Sequence, residues 1–327
     1  MFLRNSWYVA AWDREISRGL LARTILGEPV VLFRTEKGKA AALEDRCCHR
    51  HLPLSMGKLE GDRLRCGYHG LKFDASGKCV EIPGQASIPP HARVRSYPLH
   101  EKYHWVWIWM GDPQKADPAL VPNWWWAEHR DWAFTRPDMI PVKCNYQLIA
   151  DNVLDVTHLA YVHASSIGSG SIVEFPATVE RAERMVKLTR WIKDRPPPPM
   201  YKEAGGFPGN VDRWQIAEHV PPCFSVNFAG CEDGRRRIDL MALSAPTPET
   251  ERTTHYFFGF VRNFGLDEPE KERLFAEGMV KVFNEDIPIL EAQQRNMDLN
   301  RPRVDIAVDA APMAARRMLE SMIAKER

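Results

Sequence analysis

At 327 residues, with 44% hydrophobic and 27% charged side chains, the chain has an ordinary globular composition and room for two domains. The formal net charge of +1 and the lack of any long basic run argue against nucleic acid as a partner, since a phosphate-binding surface needs an excess of Lys and Arg. No run approaches the ~20 apolar residues of a membrane span. The opening MFLRNSWYVAAW lacks the basic-then-apolar pattern of a secretory signal. An odd count of seven cysteines over this length argues against a disulfide framework, so a cytoplasmic location without membrane attachment is expected.

In chain order, Pro29–Thr35, Ala40–Asp45, Arg63–Cys66, Cys79–Ile82 and Val106–Met110 are short apolar runs that predict strands. Asp74-Ala75-Ser76-Gly77-Lys78 has the composition of a hairpin turn. The proline-rich Gly111–Pro122 marks a domain boundary, placed so that 1–118 and 119–327 are separate units. Trp124, Trp125 and Trp126 then predict packing between domains rather than a binding cage. From Asn145 to about His163 the pattern becomes helical. Arg181–Trp191, Trp214–His219, Phe224–Phe228, Ile238–Leu243 and His255–Val261 read as strands, with Pro196–Pro199 in a loop. Asp267 to about Asn296 is helical again, with acids and Pro269 in its first turn. A small all-β domain followed by an α+β domain accounts for this order.

Two clusters carry chemistry. The segment DRCCHRHLPLSMGKLEGDRLRCGYHG holds Cys47-x-His49 and, after sixteen residues, Cys66-x-x-His69. Two thiolates and two imidazoles on two short loops suit a structural zinc or a Rieske [2Fe–2S] cluster. One Cys and one His per loop is the Rieske arrangement, whereas zinc sites more commonly pair like ligands. Gly67 and Gly70 permit the tight backbone such a loop needs.

The second cluster lies in Asp151–His163, with Asn152, Asp155 and His158 between its ends. On a regular helix Asp151, Asp155 and His158 share a face, while His163 lies roughly 140° from His158. Both histidines therefore reach one metal only if the helix is distorted or ends before His163. Two histidines need one carboxylate to complete an Fe(II) facial triad. Asp286 is the candidate, because Met279, Phe283, Asp286, Leu290 and Gln293 form a stripe in which an unpaired carboxylate is costly. Glu285 is the alternative, and Pro288 is expected to disturb the helix beside the ligand.

These segments resemble the Rieske non-haem iron oxygenases, and the whole chain is similar to the vanillate O-demethylase oxygenase family, which includes toluene-sulfonate methyl-monooxygenase and dicamba demethylase. The resemblance is carried by NSWYVAAW, CGYHGLKF, VWIWMGDP, DNVLDVTHLAYVHASSIG, VDRWQI, HYFFGFVRNFG and NEDIPILEAQQRN. It implies an N-terminal Rieske domain followed by a helix-grip catalytic domain of antiparallel sheet plus helices. It selects Cys47 over Cys48, which stands where the family usually has Pro; counting from Cys48 would put Arg50 at the histidine position. It also carries the third iron ligand onto Asp286 and places Asn152 near the iron, as a weak fourth ligand or a positioner.

Asp155 is expected to orient His158 through the second ring nitrogen, and in the family it bridges to a cluster histidine of a neighbouring subunit, here His69, within a homotrimer. The chain has no dinucleotide fingerprint and no plant-type four-cysteine pattern, so a separate reductase is expected to deliver electrons from NAD(P)H, and the resemblance implies that it is a flavin and plant-type iron–sulfur protein. The expected reaction is monooxygenation of a methyl or methoxy group on a small aromatic acid. Cavity walls are expected from Val226–Phe228, Leu243–Ala245 and Gly278–Val282. The rival readings are an electron-transfer protein without oxygenase chemistry, a zinc-stabilised binding module, and an oxygenase for non-aromatic or N-methyl substrates.

Overall fold

The computed structural model describes residues 1–297, 301 and 304–326. The chain divides into two compact units, the first being Met1–Val121 with Thr247–Thr250 and Glu326, the second the remainder of the described residues.

The first unit is built on β1 (Trp7–Trp12), β2 (Leu21–Ile25), β3 (Glu28–Arg34), β4 (Ala40–Glu44), β5 (Lys58–Glu60), β6 (Arg63–Arg65), β7 (Lys72–Phe73), β8 (Cys79–Glu81), β9 (Leu99–Lys102) and β10 (Trp105–Trp109). They form three antiparallel sheets, in the orders β1-β10-β9, β2-β3-β4 and β5-β6-β7-β8. The five strands expected here are present to within a residue or so. β1, β2, β5, β7 and β9, which the apolar pattern did not single out, complete the sheets. Val31, Phe33, Leu43, Leu54, Leu64 and Phe73 form a core that also encloses Cys47 and Cys66. Each fully buried Leu or Phe of this kind contributes roughly 1.5–3 kcal/mol. The predicted turn closes as an Asx turn, with Asp74 Oδ1 accepting from Ser76 N and Lys78 N.

The second unit contains β11 (Ala133–Thr135), β12 (Ile140–Val142), α1 (Tyr146–Leu154), β13 (Ala177–Ala182), β14 (Met185–Arg195), α2 (Pro199–Gly205), β15 (Val211–Val220), β16 (Phe224–Glu232), β17 (Arg237–Pro248), β18 (Thr254–Arg262), α3 (Pro269–Met297) and α4 (Ala310–Lys325). Among the described residues the sheet has the order β11-β18-β17-β16-β15-β14-β13, with β12 also on β18. Inward residues alternate along the strands, as at Val186, Leu188, Arg190 and Ile192 of β14. α3 lies on the sheet through Phe283, which stacks on Phe258 at 4.6 Å and 8° and meets Tyr256 at 5.4 Å. These contacts fix the part of α3 that carries Asp286.

Several expectations are corrected. The helix expected over Asn145–His163 ends at Leu154; Asn145 caps its start by accepting from Gln147 N, and a separate 3₁₀ turn covers His158–Ala160. The run Arg181–Trp191 is not one strand: β13 and β14 turn at Glu183-Arg184, where two exposed charged residues interrupt the alternation. The proline run ends inside α2, because Pro is tolerated at the first helical position. α3 runs through Pro288 as one helix. Separately, Trp124 and Trp126 meet Phe224 and Phe228 of β16 edge-on.

Candidate metal centres and active site

In the first unit the two ligand loops are built alike. Cys47 N donates to Leu52 O and His51 N to Cys47 O; Cys66 N donates to Leu71 O and Gly70 N to Cys66 O. Each loop therefore buries its cysteine beneath a short turn and leaves its histidine outermost. Cys47 and Cys66 are 2% exposed, whereas His49 and His69 are exposed, with ring centroids 4.6 Å apart. Gly70 has φ +75°, and a Cβ on Gly67 would lie 2.8 Å from the Met56 carbonyl oxygen, so neither position accepts a larger residue without strain. His51 takes the matching left-handed position of the first loop at φ +60° and faces solvent, away from any ligand role.

In the second unit His158, His163 and Asp286 converge, each offering an atom within 4.8 Å of the other two. The end of α1 at Leu154 makes this possible. Asp155 leaves the helix as its C-cap and accepts from Thr157 N through Oδ1 at 2.8 Å, turning the chain so that His158 and His163 approach one point. Their rings stand 5.3 Å apart at 72°. His163 is 1% exposed and Asp286 8%. Asp286 Oδ1 lies 3.2 Å from His163 Nε2 and 3.7 Å from His158 Nε2, and Asn152 Nδ2 donates to it at 3.3 Å.

The outer ring nitrogens settle the tautomers. His158 Nδ1 faces the backbone carbonyl of Asp155, and His163 Nδ1 lies 2.8 Å from Glu285 Oε2. A carbonyl and a carboxylate can only accept, so both Nδ1 atoms carry hydrogen and both Nε2 lone pairs point inward. His163 Nε2 is buried without a hydrogen-bond partner. Burial opposes protonation of His163, yet the Asp286 and Glu285 carboxylates outweigh it and push the imidazole above its usual value, so the surroundings favour a positive charge at Nε2, whether a proton or a metal ion. Three lone-pair donors held this close repel one another unless a cation sits between them.

One expectation changes here, and one alternative drops out. The Asp155 carboxylate does not reach His158; it serves the Thr157 turn, and the residue's main-chain oxygen meets the ring. Glu285 is not one of the three converging groups, because it lies on the Nδ1 side of His163. Asp151 also has a structural partner, Arg316 of α4, at 2.9 Å. Arg190, which sequence patterning did not single out, donates to Thr157 Oγ1 at 2.9 Å from an inward position on β14. A charged residue at an inward strand position was its one available signal.

Beside the three groups is a cavity of about 90 Å³. Phe228, Met279 and Val282 line it, from two of the three segments expected. From β17 the lining residues are Leu240 and Ala242 rather than Leu243–Ala245. Ala242 pairs with Asn227 and Leu240 with Ala229, so the lining on β17 stops at Ala242 and Leu243–Ala245 lie beyond it. Gln215, Asn227 and Tyr201 are the polar groups away from the histidines.

Residues 6–98 match the model of the Rieske [2Fe-2S] domain, and residues 142–325 that of the vanillate O-demethylase oxygenase C-terminal domain. The chain is 42% identical to the iron-sulfur subunit of the toluene-4-sulfonate monooxygenase system of Comamonas testosteroni, covering 100% of this chain and 98% of that one. It belongs to the Rieske oxygenases of the vanillate O-demethylase family. A vanillate O-demethylase oxygenase subunit from a Pseudomonas species is 36% identical, over 100% of this chain and 96% of its own. Dicamba monooxygenase bound to 3,6-dichlorosalicylic acid superposes with a TM-score of 0.95 at 32% identity, covering 99% of this chain and 98% of that one. The same enzyme has also been solved with non-haem iron and dicamba, with a TM-score of 0.86.

The chain is thus an oxygenase component of a Rieske non-haem iron monooxygenase, with a [2Fe–2S] cluster and a mononuclear iron as cofactors and a separate reductase as electron source. Its donor sets fit both groups. Burial pushes the Cys47 thiol up to about 11, with Cys66 beside it adding to the shift, so a thiolate there requires a cation's compensation. The orphaned His163 Nε2 is the corresponding signature at the second centre. No helix among the described residues is long and apolar enough to cross a membrane.

Proposed function

We propose that this oxygenase hydroxylates a methyl or methoxy group on a small aromatic acid, using O2 and electrons that NAD(P)H supplies through a flavin and iron–sulfur reductase. A methoxy substrate would yield a phenol and formaldehyde; an aryl methyl would yield a benzylic alcohol. The observation that carries this reading is the convergence of His158, His163 and Asp286 at one end of a largely apolar cavity. In it, residues 1–118 form the Rieske domain and 119–327 the catalytic domain.

Cys47, Cys66, His49 and His69 would hold the cluster; His158, His163 and Asp286 would hold the iron. Bound there, the cluster supplies single electrons and the iron supplies oxygen activation. The protein's own work is positioning. Asn152 holds Asp286 by its amide, and the Asp155 carbonyl and Glu285 keep each imidazole lone pair turned inward. Phe228, Leu240 and Met279 exclude water from a ring-sized volume. Among the described residues no Lys or Arg lines this cavity, so an acid group would be held by hydrogen bonds from Gln215, Asn227 or Tyr201 and not by an ion pair.

The assembly we favour is a cytoplasmic homotrimer. Asp155 is half-buried beside an open depression lined by Asn152, His158, Ile289 and Gln293, where His69 of the partner subunit would approach. Oxygen uptake and product analysis across methoxybenzoates, arene sulfonates and N-methyl heterocycles, with NADH and a reductase, test the reading. Coupled formation of phenol with formaldehyde, or of a benzylic alcohol, is expected. Product from N-methyl heterocycles alone would reject the substrate class, and electron passage with no product from any would favour a pure carrier.

A further inference from the structure

The two imidazoles of the iron site are held unequally. His158 Nδ1 donates to a neutral acceptor, the Asp155 carbonyl, whereas His163 Nδ1 lies 2.8 Å from a carboxylate, Glu285 Oε2. Glu285 and Asp286 are consecutive on α3 and take opposite edges of one ring, Asp286 Oδ1 standing 3.2 Å from Nε2. The Glu285 side chain is 25% exposed, so burial does not force it onto His163; solvent was an available alternative.

We propose that Glu285 is a positioning residue for the iron, acting through His163: it fixes the Nε2 tautomer, locks the ring plane and makes His163 the stronger imidazole donor. A carboxylate accepting from the outer nitrogen of a metal-bound histidine raises the basicity of the inner one. The geometry excludes Glu285 as a ligand itself, since the imidazole lies between its carboxylate and the point of convergence. The inference rests on His158, His163 and Asp286 being the metal site.

The test uses the full chain with its cluster intact, stripped of mononuclear iron and titrated with Co(II) against a competing chelator at fixed pH. Glu285→Gln keeps size and an acceptor oxygen but loses the charge, and should weaken Co(II) binding ~10-fold; Glu285→Ala should weaken it up to ~100-fold. In Co(II)-loaded protein, the exchangeable Nδ1 proton of His163 should be seen in the paramagnetically shifted NMR spectrum and move in Glu285→Gln, with the cluster's visible spectrum unchanged. Affinities within about twofold of wild type in both variants would overturn the proposal. Complete loss of binding in Glu285→Ala, matching Asp286→Ala, would overturn it by making Glu285 a ligand. Wild-type affinity in Asp286→Ala would instead strike the metal-site reading underneath, whatever the Glu285 variants do.

Discussion

Replacing Arg316 by Met removes the guanidinium that ties α4 to the last turn of α1. Arg316 Nε lies 2.9 Å from both carboxylate oxygens of Asp151, Nη2 lies 2.5 Å from Oδ2, and Nη1 lies 3.2 Å from Gln147 Oε1. Side chains of the pair are 19% and 22% exposed, between an open surface pair and a buried one. Exposed pairs contribute roughly 0.5 kcal/mol, while breaking a fully buried pair costs roughly 3–5 kcal/mol. Partial solvent screening places this one at about 2 kcal/mol. For a unit of this size that lowers Tm by about 4–8 °C. Calorimetry on Arg316→Met, Asp151→Asn and the double variant measures the coupling directly. Because Asp151 precedes Asn152 and the turn that delivers His158, hydrogen exchange in α1 should rise with the loss of Tm. A Tm within about 1 °C of wild type, or a coupling below about 0.5 kcal/mol, would refute the claim that this pair anchors the iron-bearing segment.

Asp155→Asn should leave both metal sites filled, because the main-chain oxygen of residue 155 meets His158, and should slow single-turnover electron transfer from cluster to iron ~10–100-fold; stopped-flow rates equal to wild type would remove the bridging role. His219 is 2% exposed, and burial lowers its imidazole to about 4. The unfolded chain, near 6.5, binds a proton that the folded state refuses, so stability should fall by about 3 kcal/mol as pH drops from ~6.5 to ~4. Urea midpoints across that window should flatten in His219→Gln, and an unchanged slope would contradict the assignment.

What could be read from the sequence was local. The two Cys/His loops are each closed within six residues, so their spacing alone carried the pattern. The stripe through Met279, Phe283, Asp286 and Leu290 was legible because a long helix keeps its period. The end of α1 was not, since Asp155 to Thr157 contains neither Gly nor Pro; the Asp-x-Thr pattern, with a side chain accepting from the amide two residues on, is the signal that was passed over. α4 escaped because its buried stripe, Ala311, Ala314, Ala315 and Leu319, is made mostly of small residues and gives a weak apolar period. Glu285 differs again. Periodicity places it next to Asp286, but only the fold tells which side of His163 its carboxylate reaches.

Iron content with the visible spectrum, in wild type and Asp286→Asn, bears most directly on the division of labour between a one-electron centre and an oxygen-binding one. Wild type should hold about three irons per chain with red-brown Rieske absorption, and Asp286→Asn should keep about two irons and the same absorption. Zinc in either site of the wild type, or loss of the cluster spectrum together with the third iron in the variant, would contradict it.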